Sequence, residues 1–196
     1  MNSKKIISVL LVVALVMSIF ALTSCKKEED VLTVYTNAEF PPFEYLSDNK
    51  PVGVDMQIAQ AIADELGMKL EIKNVKFDTI LTSISSGKGD LGIAGITVTP
   101  ERAESVNFSE NYITSTQYMV IKNDSEIKTI EDLAGLKIGV QLGTTGDFII
   151  SDEISGTEDE ETGEHVKGVL EGTGATVTQY NSAADAAVNM NSGKVD

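Results

Sequence analysis

Arg102 is the only arginine among the 15 basic residues of the chain. It closes the run from Asp90 to Arg102, Asp-Leu-Gly-Ile-Ala-Gly-Ile-Thr-Val-Thr-Pro-Glu-Arg. Arginine grips a carboxylate with two parallel hydrogen bonds, whereas lysine presents a point charge. Thr99 is placed to cap a helix that has Pro100 at its first position, so Arg102 falls in the first turn. A cation there opposes the helix dipole, and the placement makes best sense with an anion beside it. The plain alternative is a solvated arginine near Glu101 and Glu104. A second helix start able to receive an anion on its backbone amides is Gly143-Thr144-Thr145-Gly146, although short Gly/Thr turns are common.

These residues need a scaffold, and the leader must first be set aside. Lys4 and Lys5, an apolar stretch from Ile6 to Leu22, and Leu22-Thr23-Ser24-Cys25 form a signal over residues 1–24. The pattern resembles a bacterial lipoprotein leader, with Cys25 acylated and first in the mature chain; an uncleaved membrane anchor is the alternative. The lone cysteine rules out an intrachain disulfide framework. Residues 25–30 read as a tether.

The formal charge is −15 for the whole chain. That balance argues against nucleic acid as a partner, since phosphate binding needs clustered lysine and arginine. The remaining length of about 170 residues suits one domain or two small lobes. With 6 Phe, 5 Tyr and no Trp, the core must be mainly aliphatic.

Val31 to Thr36 alternates as a strand, and 37–45 reads as a proline-bearing loop rich in aromatics. Phe43 and Tyr45 either plug a core edge or line a pocket. Asp55 is a plausible cap for a helix with Met56, Ala59, Ile62, Ala63 and Leu66 on one face, ended by Gly67. Leu70 to Val75 is a strand, Asp78 caps a second helix, and Leu91 to Ile96 is a third strand. This strand–helix order predicts an α/β fold with a mostly parallel sheet. Further on, Thr116 to Ile121, Leu136 to Val140 and Thr176 to Tyr180 read as strands. Thr129 to Leu133 reads as a short capped helix, and Ser182 to Met190 as a longer one. Asp152 to His165 reads as a mobile acidic loop. It lacks the ordered ligand spacing of a calcium loop, and His165 has no second His or Cys, so no metal site is predicted.

Ser86-Gly87-Lys88-Gly89-Asp90 recurs as Ser192-Gly193-Lys194-Val195-Asp196, and a helix precedes each copy. The repeat predicts two similar halves, with the second copy ending where a matching strand would begin.

The chain from Val31 to Asp196 resembles the amino-acid-binding family of bacterial extracellular solute-binding proteins, the receptors of ABC importers. The resemblance rests on Phe-Pro-Pro-Phe-Glu-Tyr at 40–45, Gly53-Val54-Asp55, Ser86-Gly87-Lys88 before Asp90, and the stretch 94–102. Val106-Asn107-Phe108-Ser109 and Gly-Val-Gln-Leu-Gly-Thr-Thr at 139–145 complete it. It implies a type II periplasmic-binding-protein fold with mostly parallel sheets flanked by helices. Lobe one would span 31–121 and a partial lobe two 126–196, with the chain crossing at 122–125 and a cleft that closes on ligand. Carried over by resemblance, Phe40 and Phe77 flank the ligand side chain and the Gly95 carbonyl takes part of the α-ammonium. Thr97 and Arg102 hold the α-carboxylate, Thr145 and its neighbour Thr144 face it from lobe two, and Gln141 lies nearer the side chain. Asn37 stands where many relatives carry Asp, which favours a polar, glutamine-like ligand over a cationic one. The family's pattern continues past Asp196 with a strand whose acidic residue binds the ammonium.

The expected function is a lipid-anchored, extracytoplasmic receptor that captures a polar amino acid and delivers it to a membrane permease. It would act as a monomer, without cofactor or catalysis. An enzyme on the same scaffold, such as a periplasmic dehydratase, would need a poised acid or base in the cleft, and Glu39 and Glu44 are the carboxylates on offer. Both read as solvated. An amino-acid-sensing lipoprotein is the third reading.

Overall fold

The computed structural model describes residues 30–196. The leader, Cys25 and the tether to residue 29 lie outside the described residues. Strand β1, Val31–Thr36, turns Leu32, Val34 and Thr36 inward, the alternation of a strand with one face on a core. Strands β2 (Glu39–Phe40), β3 (Glu44–Ser47) and β4 (Lys50–Val52) form an antiparallel meander. Helix α1 (Val54–Leu66), strand β5 (Lys69–Asn74), a 3-10 turn (Phe77–Thr79) leading into helix α2 (Ile80–Ser85), and strand β6 (Leu91–Gly92) follow. β1 lies between β5 and β6 and runs parallel to both. Short helix α3, Pro100–Ala103, carries Arg102.

The second half repeats the scheme on a smaller scale. Strand β7 (Lys137–Gln141) leads into helix α4 (Thr145–Ser155), and a hairpin of β8 (Thr157–Glu158) and β9 (His165–Val166) intervenes. Strand β10 (Thr176–Tyr180) pairs parallel with β7, and helix α5 (Ala183–Asn191) follows. Each half has its own aliphatic core. Leu32, Val34, Met56, Ala59, Ala63 and Ile93 fill one, and Leu133, Ile150, Leu170 and Ala175 the other.

Several expectations need correction. The aromatic stretch 37–45 contains strands, because Pro41 and Pro42 sit in the turn and leave the residues on both sides free to pair. Asp55 does not cap α1. Gly53 does, and the carbonyls of Pro42 and Phe43 accept the first helical amides, those of Val54 and Asp55. Asp78 likewise makes no cap bond. The buried stripe of α1 is narrower than expected, with Ile62 and Leu66 left exposed. The predicted strand 91–96 stops at Gly92. Gly95, at φ 55°, leaves the extended region and takes the chain away from the sheet. Thr116 to Ile121 forms no strand. Its β-branched composition finds no ladder partner among the described residues, and Tyr118 and Val120 are exposed. The acidic segment 152–165 is not a loop throughout, since α4 continues to Ser155. Asp159 then accepts the amides of Glu161 and Thr162 to close the turn of the β8–β9 hairpin.

The sequence repeat is a structural device. Gly87 and Gly193 both take left-handed conformations after their helices, φ 72° and 74°. The amides of Lys88 and Lys194 then reach back to the carbonyls of Ser83 and Asn189. Asp90 clasps Thr33 of β1 from both sides: its amide donates to the Thr33 carbonyl at 2.9 Å and its Oδ2 accepts the Thr33 amide at 2.8 Å. Asp196 does the same to Lys137 of β7, at 2.8 and 2.9 Å. Each aspartate thus ties the turn after a helix to the start of the strand that leads to the cleft. Asp90→Ala is expected to cost about 1 kcal/mol, one exposed hydrogen bond. Urea denaturation measures it, and Asp90→Asn, which keeps an acceptor, loses less.

Candidate ligand-binding site

β1, β6 and β7 all point their carboxyl ends to one region, the usual place for a ligand on parallel α/β sheets. A cavity of about 380 Å³ opens there, lined by Asn37, Phe40, Phe77, Gly95, Thr97, Gln141, Thr144 and Thr145 among others. Eight of the nine predicted ligand-binding residues therefore share one cavity. Arg102 borders an adjoining cavity of about 220 Å³ instead, with Phe77, Gly143 and Phe148.

The wall from the first half is built by the chain's departure from the sheet. Phe40 lies over Gly95 and stacks on Phe43, with ring centroids 5.8 Å apart. Asn37 is buried, and its amide orientation is set by its neighbours. The nitrogen donates to the Val75 carbonyl at 2.9 Å, and Oδ1 accepts Nε2 of Gln141 at 3.1 Å. Gln141 thereby spans the cleft, as does the Thr145 hydroxyl, which donates to Oγ1 of Thr97 at 3.2 Å.

The opposite wall is the start of α4. Thr144 caps the helix by accepting the Asp147 amide, and buried Asp147 accepts the Gly143 amide and the Gln179 side chain. The turn is held from behind, which leaves the Thr145 and Gly146 amides at the open helix start on the cavity side.

Arg102 is 7 % exposed. Nη1 donates to the Thr97 carbonyl at 2.7 Å, and Nη2 donates to the Gly143 carbonyl at 2.9 Å. Its guanidinium stands over the Phe77 ring at 5.9 Å and the Phe148 ring at 5.5 Å, one from each half. Burial lowers its pKa, partly offset by Glu101. Among the described residues no carboxylate forms an ion pair with it. A buried cation facing only carbonyls and aromatic rings is incompletely compensated, and an anion at this point would relieve it.

Four residues of this region escaped the sequence reading. Glu44, read as solvated, is 1 % exposed and borders the cavity. Asp55 is fully buried and accepts the Tyr112 hydroxyl at 3.1 Å. Tyr112 in turn accepts the Gly95 amide at 3.1 Å. Phe148 completes the sandwich around Arg102. The signal that would have placed Asp55 is Gly53: once glycine is the cap, Asp55 falls inside the first turn. Tyr112 lies 57 residues from Asp55, and no local pattern links them.

Two parallel sheets thus share a cavity at their strand ends. The chain belongs to the bacterial extracellular solute-binding proteins, family 3, which it matches over residues 32–195. It is 37% identical over 132 residues to the arginine-binding extracellular protein ArtP of Bacillus subtilis (strain 168), covering 64% of this chain and 52% of that protein. A probable histidine-binding protein of Neisseria gonorrhoeae is 32% identical over 164 residues, 77% of this chain and 60% of the relative. The solved structure of an ancestral arginine-binding protein bound to glutamine superposes with a TM-score of 0.71 at 38% identity, over 86% of this chain and 68% of that one. The chain thus spans about half the length of the curated relatives it matches. Its fold is that of type II periplasmic binding proteins, parallel sheets flanked by helices.

Proposed function

We propose that this chain is the receptor part of an ABC importer that captures an amino acid between its two halves, without catalysis. The observation that carries the reading is the buried, incompletely compensated Arg102, next to a cavity whose walls come from the strand ends of both sheets. The lobes are 31–121 and 126–196, and the crossing at 122–125 lets them move. The α-carboxylate takes the place of the Gly143 carbonyl on the guanidinium and is shared with Thr97 and with Thr145 at the start of α4. The Gly95 carbonyl accepts from the α-ammonium. Phe40 and Phe77 flank the side chain, Asn37 and Gln141 meet its polar end, and Thr144, as the cap of α4, stands beside Thr145 on the carboxylate side. The Asn37 and Gln141 amides support a ligand with its own amide, such as glutamine. The cavity volume is within the range of small-molecule sites, roughly 300 to 1,000 Å³.

Acylation of Cys25 would hold the receptor, as a monomer, at the outer face of the membrane beside its permease. Palmitate labelling of the wild type and of Cys25→Ala checks the anchor. The receptor reading is checked by thermal denaturation of the full-length protein against all common amino acids. One or a few should raise the midpoint in a concentration-dependent way, because they bind only the folded state. If none does, the reading fails; a new product in the same mixtures, detected by mass spectrometry, would favour an enzyme.

A further inference from the structure

Helix α4 carries an aromatic residue on the side turned away from its own core. Ile150 and Ile154 belong to the aliphatic core of the second half. At 3.6 residues per turn, Phe148 stands about 200° around the helix from Ile150, and it takes no part in that core. A single exposed apolar side chain needs no explanation in itself. This one has a particular neighbour, because its ring centroid lies 5.5 Å from Cζ of Arg102, a cation of the other half.

The surroundings place Phe148 between that cation and solvent. The smaller cavity beside the guanidinium takes its walls from Phe77, Leu81 and Ile96 of the first half and from Gly143 and Phe148 of the second. Its volume of about 220 Å³ has room for several waters at roughly 30 Å³ each. Asp78 lines the same cavity, and among the described residues it makes no ion pair with Arg102. The cover on this side is therefore apolar rather than ionic. Phe148 is 45 % exposed and Arg102 only 7 %, so the ring takes the contact with water that the guanidinium is spared.

We infer that Phe148 is a positioning residue for ligand capture: it shields the Arg102 guanidinium from water and salt while the two halves are together, and so strengthens the grip of that group on the ligand's carboxylate. The ring acts in two ways. Its face attracts the cation, more strongly where water is excluded. Its bulk keeps counterions away, and a buried charge pair is screened much less than an exposed one. Ring and cation belong to different halves, so the shield lasts only while the halves are in contact. Its effect falls on ligand dissociation more than on association. The inference rests on the amino-acid reading of the cavity and adds the residue that ties the carboxylate contact to closure.

Isothermal titration calorimetry of the full-length protein tests it, with each common amino acid in turn at about 50 and about 500 mM potassium chloride. The effect should appear with every amino acid that binds, because all share the α-carboxylate. Wild-type affinity should change by less than about twofold between the two salt concentrations. Phe148→Ala should bind about tenfold more weakly at low salt and lose about a further threefold at high salt. Phe148→Tyr, which keeps the ring, should match wild type at both. A merely structural role would lower affinity without changing the salt response. Weaker binding by Phe148→Ala with the wild-type salt response therefore overturns the inference, as does wild-type affinity in that variant. If Phe148→Ala does not fold, Phe148→Leu serves: it should bind several-fold more weakly, with a salt response between those of wild type and an open site, and behaviour like wild type overturns the inference. In each of these cases the receptor reading stands. Binding of no amino acid by the wild type overturns both.

Discussion

Arg102→Lys should weaken amino-acid binding by at least tenfold although it leaves the net charge unchanged. The guanidinium here is held as a plane. It lies between the rings of Phe77 and Phe148, and two of its N–H groups point at the Thr97 and Gly143 carbonyls, one on each side of the cleft. A carboxylate entering beside Thr97 meets a donor fork already oriented, and a charge-assisted hydrogen bond of this type contributes about 1.5 to 3 kcal/mol. Lysine supplies a point charge on a flexible stem; it can neither bridge both carbonyls nor stack as a plane on two rings. The variant should therefore lose affinity through two routes, weaker carboxylate contact and a looser closure of the halves. Calorimetry against the best ligand from the amino-acid panel measures the first. Small-angle scattering with and without that ligand measures the second. Equal affinity in Arg102→Lys and wild type would remove Arg102 from the site.

Proton linkage gives a separate handle on Glu44, independent of any ligand. An ordinary carboxyl titrates near 4.5, but burial, and then the neighbouring Asp55, push this one up to about 9. Between those values the native state holds a proton that the unfolded chain has lost, so stability falls as pH rises through this window. Melting curves of wild type from pH 5 to 9 should slope downward more steeply than those of Glu44→Gln, whose side chain cannot ionise. Parallel slopes would mean that Glu44 is ionised in the folded protein at neutral pH.

How much of this was legible in the sequence depends on the range over which the governing interactions act. The strand–helix order of both halves was readable because hydrophobic period and capping residues are local. Thr99 caps its helix as expected, and Gly67 ends α1 in a left-handed turn. The repeat at 86–90 and 192–196 was readable as a pattern, but its purpose was not. The Asp90–Thr33 clasp joins residues 57 positions apart and the Asp196–Lys137 clasp residues 59 apart. The cavity residues came from resemblance, since no spacing rule brings Asn37 against Gln141 across 104 residues. Glu44 was misread because a glutamate between two aromatics in a proline-rich stretch carries the local signature of a solvated loop. Only the packing of that stretch on α1 buries it. The same blindness to long-range pairing explains the strand wrongly expected at 116–121.

That packing also makes Gly53 hard to replace. Its φ of 123° and ψ of −173° lie in a region that side-chain-bearing residues essentially do not occupy. A Cβ at this position would stand 2.2 Å from the Phe43 carbonyl oxygen and 2.7 Å from that of Pro42, both backbone atoms that cannot swing away. Those carbonyls are the acceptors for the first amides of α1, at 2.9 Å for Asp55 and 3.2 Å for Val54. The hairpin that carries Phe40 and Glu44 is thus docked on the helix start through the one position where a side chain does not fit. Gly53→Ala should destabilise the protein by about 3 kcal/mol or more, combining conformational strain with the loss of those bonds. The lost docking should also let water reach Glu44, which lowers its raised pKa toward the ordinary value, so that the fall of stability with pH flattens. Denaturant unfolding at pH 6 and pH 8 reads both effects in one experiment. A variant as stable as wild type at both pH values would mean that the turn at residues 42–43 moves aside without cost.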